Sequence, residues 1–216
     1  MNRPDPTPIE IVVATGNPHK IREIHDLLHM EWIHLRPWTD FAPLPGVVED
    51  GDTFAANALL KSRAAHAHTG LPAMADDSGI EIDALGGRPG IYSARFAGPA
   101  ATDADNNALM VDLLTGKPEP LTARYHCVIA VTGLDGGDHL FDGVCEGTLT
   151  LTPRGGGGFG YDPYFVPNGF ETTFGEMTLA AKQALSHRGA AVRKLAVWLA
   201  SQVAGGARDR GPGAGG

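Results

Sequence analysis

Leu71-Pro72-Ala73-Met74-Ala75-Asp76-Asp77-Ser78-Gly79-Ile80 is the stretch whose reading decides the fold. A short apolar run, Leu71 to Ala75, gives way abruptly to two adjacent carboxylates, a hydroxyl and a glycine. Read as a buried strand, it delivers those acids to the carboxyl end of an open α/β sheet, where ligands collect. Neighbouring carboxylates repel unless positive charge lies beside them. A hard divalent cation meets that need, and Mg²⁺ takes one or two carboxylates plus substrate phosphates. Asp, Ser and Gly are also turn formers, so a solvated turn is the competing reading. The flanking sequence has to choose between them.

Upstream, Ile9-Glu10-Ile11-Val12-Val13-Ala14 has the β-branched character of a buried strand, broken by Thr15-Gly16-Asn17-Pro18. A helix is predicted from Pro18 to about Met30, with Ile21, Ile24, Leu27 and Leu28 on its apolar face. A strand, a tight turn and a helix N-terminus attract anions through free N–H groups and the helix dipole. Lys20 adds a fixed charge there, although the glycine spacing is not that of a Walker A loop. A short strand, Trp32 to Leu35, and a proline-punctuated loop lead to Glu49-Asp50-Gly51-Asp52. Asp52 or Thr53 caps a helix running from about Phe54 to His68.

Downstream, Gly79 to Leu85 alternates as a further strand segment, and Gly87 to Arg95 reads as a loop with a helical turn. Thr102 opens a helix to Leu114, with Leu109, Met110 and Leu113 inward. Arg124–Thr132 and His139–Leu151 form an antiparallel hairpin around Leu134 to Asp138. A last short strand is Tyr164 to Val166; helices follow over Met177 to about His187 and over Gly189–Val203. The proline-rich first eight residues read as a loose arm, and the glycine-rich 204–216 as a disordered tail. Residues 1–203 read as one domain.

A chain of 216 residues with 43% hydrophobic content buries a sizeable core as one domain. Its net charge of −8 argues against a duplex nucleic-acid surface, so anion-binding groups have to be concentrated locally or assisted by a metal. Cys127 and Cys145 read as buried thiols. No apolar stretch is long enough to span a membrane, and the N-terminus has no signal-peptide core, so the expectation is a cytoplasmic protein without a membrane partner.

Two more stretches carry chemistry. Gly157-Gly158-Phe159-Gly160-Tyr161-Asp162 combines backbone that approaches a flat ligand closely with aromatic faces that stack on a base. Lys182 and the pair His187-Arg188 converge on one ligand only if a helix ends or bends between them; in a plain helix His187-Arg188 is a solvated C-terminal turn.

Taken in order, seven stretches resemble the inosine/xanthosine triphosphate pyrophosphatase family, the Ham1-like enzymes that remove deaminated purine nucleotides. They are Ala14–Lys20, Glu49–Phe54, Asn57–Lys61, Ala75–Gly79, Leu85–Arg95, Gly157–Pro163, and Lys182 with Ser186–Arg188. The resemblance runs from Ile9 to about Leu199. It implies a mixed central sheet flanked by helices, two lobes with a central cleft, a homodimer and Mg²⁺ dependence. It also implies pyrophosphohydrolase activity on dITP, ITP and XTP, giving the monophosphate and pyrophosphate.

By the same resemblance, Thr15, Gly16, Asn17, Pro18, His19 and Lys20 form the triphosphate cradle. Glu49 and Asp77 ligate the metal, and Asp77 is the base for the attacking water, with Asp76 beside it and Ser78 touching substrate. Phe159, Gly160, Tyr161 and Asp162 stack on and read the base, while Lys182, His187 and Arg188 hold the base edge and phosphates. Hydrogen-bond chemistry makes Arg188, a permanent donor, the expected partner of a 6-oxo group, with Asp162 or a backbone carbonyl accepting the purine N1 proton. The chain departs from many relatives at Ala56, Ala180 and Ala181, where acids are common. Two rivals are a Maf-like pyrophosphatase acting on other nucleotides, whose motifs differ, and a nucleotide-binding regulator without turnover, against which the intact Lys20, Glu49, Asp76 and Asp77 argue.

Overall fold

Strand β3, Ala73–Ile82, runs straight through the acids, because it pairs antiparallel with β4 (Thr122–Thr132) along its whole length, from Ala73↔Thr132 to Ile82↔Ala123. The expected break between Ala75 and Gly79 is therefore corrected. Ten consecutive ladder positions outweigh the turn propensity of Asp, Ser and Gly. The computed structural model describes residues 8–41 and 46–206, the side chains of 203–206 excepted. The N-terminal arm expected at 1–8 thus lies outside the described residues up to Thr7, as does part of the proline-punctuated loop at 42–45. The last helix extends to Gly206, and the rest of the expected tail, 207–216, also lies outside.

The described residues form a six-stranded mixed sheet of order β2-β1-β3-β4-β5-β6. β1 (Ile9–Val13) pairs parallel with β2 (Ile33–Pro37) and, through Val12↔Ala73 and Val13↔Met74, with β3. β5 (Asp138–Leu149) and β6 (Phe165–Pro167) complete the antiparallel half. Parallel pairing of β3 stops at Met74, where β1 ends and turns into α1 (Pro18–Leu27); further on β3 makes an isolated bridge, Glu81↔Pro89, and Ile80 N donates to the Ser93 hydroxyl at 2.9 Å. The switch point expected of an α/β sheet is the carboxyl end of β1, not that of β3.

Helix α2 (Phe54–Thr69) covers one face of the sheet. Its buried residues Phe54, Asn57, Ala58, Ser62 and Ala65 recur at helical spacing, and the small ones let it lie close to β3 and β4. Thr53 caps it by accepting from Ala56 N at 3.1 Å. On the other face α1 and α5 (His187–Gly206) pack with Ile11, Ile24, Met74, Ile129 and Leu195 in one core. A second core joins Ile80, Ile82, Tyr125 and Phe165 to Met110 and Leu114 of α3 (Asp103–Leu114). Leu109 and Leu113, expected inward on α3, are only half-buried.

Side chains alternate faces along a strand. Met74, Asp76, Ser78, Ile80 and Ile82 therefore share one face of β3, and Asp76 and Ser78 fall between the two cores. The site opens where this apolar face is interrupted. Cys127 and Cys145 are free and buried, their thiols pushed up by burial to about 12 and about 11.

Candidate active site

A cavity of about 390 Å³ lies at the end of β1, bordered by β3, the 157–162 loop and the start of α5. Thr15, Gly16, Asn17 and Lys20 line one side, with Glu49, Asp77 and Ser78 beside them. Phe159, Gly160, Tyr161 and Asp162, with Lys182, His187 and Arg188, line the other. Pro18 and His19 are outside this lining. Pro18 opens α1, and His19 stacks on Phe159, with ring centroids 5.3 Å apart.

The expectation that α1 offers free N–H groups to an anion is corrected. Pro18 has no N–H, and the Asn17 side chain accepts from His19 N at 2.9 Å and Lys20 N at 3.4 Å. Positive potential at this end comes from the Lys20 ammonium and the dipole rather than from unpaired donors.

The two adjacent acids face apart. Asp76 looks toward α1 and α5, where it meets Lys20 at 3.0 Å and Arg188 at 3.1 Å. Burial alone would raise its pKa, but Lys20, Arg188 and Lys61 overcome that and hold the carboxyl well below the usual range. Asp77 looks toward α2, accepting from Lys61 Nζ at 3.1 Å and from Asn57 Nδ2 at 3.3 Å. Its burial outweighs these partners and raises its pKa. A cation wedged between neighbouring acids is therefore not the arrangement, because the period of two already separates them.

Lys61 also donates to Glu49 at 3.2 Å, so Glu49 and Asp77 converge on one point at the cavity wall. Among the described residues no group of three or more His, Cys, Asp or Glu side chains surrounds a single point. Two convergent carboxylates at the wall of this cavity nevertheless suit Mg²⁺, which completes its shell with water and substrate oxygens.

At the other end α4 (Leu179–Leu185) stops at Ser186, whose extended backbone (ψ 155°) redirects the chain into α5. This break brings Lys182 and His187 together. It also corrects the solvated-turn reading, because His187 and Arg188 start a helix and are buried. Lys182 Nζ donates to Glu23 at 2.9 Å and to Asp162 at 2.8 Å. Arg188 donates to Glu23, to Asp76 and, at 2.9 Å, to Ser78. Three of its five N–H donors are thus engaged by protein partners, while one hydrogen on Nη1 and the buried Nε have no described partner. Burial would raise the Glu23 pKa, but the two cations hold it low.

Asp162 organises its own loop. Its Oδ2 accepts from Phe159 N at 2.8 Å as well as from Lys182, and its Oδ1 accepts from Tyr125 at 3.3 Å. Gly158 sits at φ +75°, and a Cβ there would strike the Asp162 carboxylate. Gly160 is held from α3, its N–H donating to Asp103 at 2.7 Å and its carbonyl accepting from Asn107 at 3.0 Å. Tyr161 turns its hydroxyl away from the cavity loop to Ser93 O, 2.9 Å.

Sequence reading left Glu23, Asn57, Lys61, Asp103 and Tyr125 without a role. Asn57 and Lys61 are four apart on α2, a spacing that puts both toward one face. Glu23 follows Lys20 by three and adjoins the buried Ile24, the one acid on the inner side of α1.

Comparison with known proteins agrees with this fold. The Ham1 family profile matches residues 11–198. A dITP/XTP pyrophosphatase of Desulforamulus reducens is 44% identical over 187 residues, 86% of this chain and 93% of that protein. One from Geobacter sulfurreducens is 46% identical over 186 residues, 86% of this chain and 94% of that protein. A HAM1 protein structure from Coxiella burnetii superposes with TM-score 0.82 at 41% identity, covering 89% of this chain and 99% of the other. A match that spans the sheet, both faces of β3 and the break at Ser186 leaves one conclusion: the chain belongs to the Ham1 family.

Proposed function

We propose that the protein is a nucleoside-triphosphate pyrophosphohydrolase that converts dITP, ITP and XTP to the monophosphate and pyrophosphate. The observation that carries this reading is one cavity with two unlike ends: cations and carboxylates at Lys20, Glu49, Lys61 and Asp77, and an aromatic, hydrogen-bonding end at Phe159, Asp162 and Lys182. The names of the relatives given above support the same substrate class.

Phosphoryl transfer depends mostly on placement and charge stabilisation. Lys20 and the Thr15–Asn17 turn orient the phosphates, and Ser78, tied to Arg188, borders the same space. Glu49 and Asp77 would hold Mg²⁺, which supplies charge neutralisation on the phosphates when bound. Asp77, its pKa raised by burial, accepts the proton of the attacking water, and Asn57 fixes its carboxylate.

The base lies against Phe159. Lys182 has three donor hydrogens, of which Glu23 and Asp162 take two, leaving one for a 6-oxo acceptor. Asp162 accepts the N1 proton. Adenine reverses both groups, setting its amino group against an ammonium and leaving polar groups unpaired. Guanine shares the 6-oxo edge, and its 2-amino group is the feature that is rejected.

A homodimer in the cytoplasm is part of the proposal. Leu140 and Val144, exposed on the outer face of β5, support a covered surface there. No helix among the described residues is long and apolar enough to cross a membrane. The test is pyrophosphate release over a panel of ITP, XTP, GTP and ATP with Mg²⁺. Preference for ITP and XTP supports the reading, and equal efficiency on ATP removes it.

A further inference from the structure

Tyr125 is a buried polar aromatic of the cavity wall that the mechanism above does not use. It projects from β4 on the same face as Cys127 and Ile129, toward α5. Three contacts fix its ring. It lies parallel to the His187 imidazole, with centroids 4.6 Å apart and planes 6° apart. It meets Phe165 edge-on at 4.8 Å and Phe174 at 6.0 Å. This apolar clamp leaves the hydroxyl one described protein partner, Asp162 Oδ1 at 3.3 Å.

The other oxygen of Asp162 is held by Lys182 Nζ and Phe159 N, both at 2.8 Å. Those two bonds anchor Oδ2 but leave the carboxylate free to pivot about it. The hydroxyl of Tyr125 removes that freedom. It occupies one lone pair of Oδ1 and leaves the second available. Burial raises the Asp162 pKa against the lowering effect of Lys182 and Phe159 N, and a phenol that donates to a carboxylate acts in the same sense as those two.

We propose that Tyr125 is a positioning residue for base selection: its hydroxyl aims the remaining lone pair of Asp162 Oδ1 at a ring N–H of the base, while its ring holds His187 flat beside the same cavity. The inference rests on the functional reading given above and deepens it. A ligand that presents N–H at this position gains an aligned acceptor. A ligand that presents a bare ring nitrogen, as adenine does, faces lone pair against lone pair. Selectivity for 6-oxo purines thus depends on a residue that the phosphates never meet.

Tyr125→Phe keeps the ring, the His187 stack and the Phe165 contact and removes only the hydroxyl. The experiment measures kcat/KM for ITP and ATP on wild type and Tyr125→Phe, together with thermal melting of both. The expected result is a fall of about tenfold in kcat/KM for ITP, carried mainly by KM, with ATP little changed. The ITP/ATP ratio therefore narrows while the melting temperature stays near that of wild type. A structural role alone would lower both substrates together or lower the melting temperature with the ratio intact, and either result overturns the proposal. Tyr125→Leu, which also loses the stack, is expected to narrow the ratio at least as far. A wild-type enzyme that shows no preference for ITP overturns the functional reading and Tyr125's part with it. A wild-type preference that Tyr125→Phe leaves unchanged overturns the positioning role alone.

Discussion

Asp76 and Asp77 are chain neighbours that face opposite sides of β3: one is locked between Lys20 and Arg188, the other between Lys61 and Asn57. Strand alternation thereby gives one acid two cationic partners and leaves the other, at the cavity wall, as the proposed general base. Asp77→Asn is expected to lower kcat by about 10²–10⁴ in a protein that still folds, the range for loss of a general base. Asp76→Asn leaves buried cations short of a partner and is expected to cost about 3–5 kcal/mol in stability. Steady-state kinetics and urea unfolding of the two variants check the division. A stable Asp76→Asn with normal melting would contradict it.

Lys20 pairs with Asp76, whereas Lys182 pairs with Glu23 and Asp162, and the proposed reading gives Lys20 the phosphates. Lys20→Ala is expected to lower kcat/KM by a similar factor on ITP and ATP, leaving their ratio unchanged. Kinetics on both substrates decides it, and a narrowed ratio would move Lys20 to base recognition.

His187 is buried, with no described partner on Nδ1, and its pKa lies well below 6.5 because of burial and the charges of Arg188, Lys182 and Lys20, against which Asp76 acts. The folded protein binds fewer protons at this site than the unfolded chain. Its contribution to stability is therefore complete above pH 6.5 and is lost as pH falls from 6.5 toward the folded value. The slope is at most about 1.4 kcal/mol per pH unit. His187→Phe keeps a ring against Tyr125 and is expected to flatten the stability curve between about pH 6.5 and 5. Denaturant titrations across that window test this, and parallel curves would refute it.

The convergence of Glu49 and Asp77 predicts that chelator abolishes turnover and that added Mg²⁺ restores it. Full activity in excess chelator would contradict the metal assignment.

Much of this architecture was legible in the sequence because the strands and helices carry strong periodicity. Ile9–Val13, Phe54–Thr69 and the β4–β5 hairpin stand within a few residues of their expected bounds. β3 was misread as two segments because Asp76 to Gly79 are polar or small. What holds them extended is a ten-residue ladder to β4, a partner distant in the chain that no local pattern announces. The site residues that went unassigned share one trait: their significance lies in a partner distant in sequence. Glu23 gains its role from Lys182, Lys61 from Glu49 and Asp77, and Tyr125 from Asp162. Arg188 was recognisable as important, but its bonds to Glu23, Asp76 and Ser78, all distant in sequence, were not.

The central claim is that water attacks the α-phosphorus of a deaminated purine triphosphate. Hydrolysis of ITP in heavy-oxygen water, followed by phosphorus NMR, tests it most directly. The account predicts inosine monophosphate and pyrophosphate as first products, with the heavy oxygen on the monophosphate. Orthophosphate with inosine diphosphate, or heavy oxygen in the pyrophosphate, would contradict it.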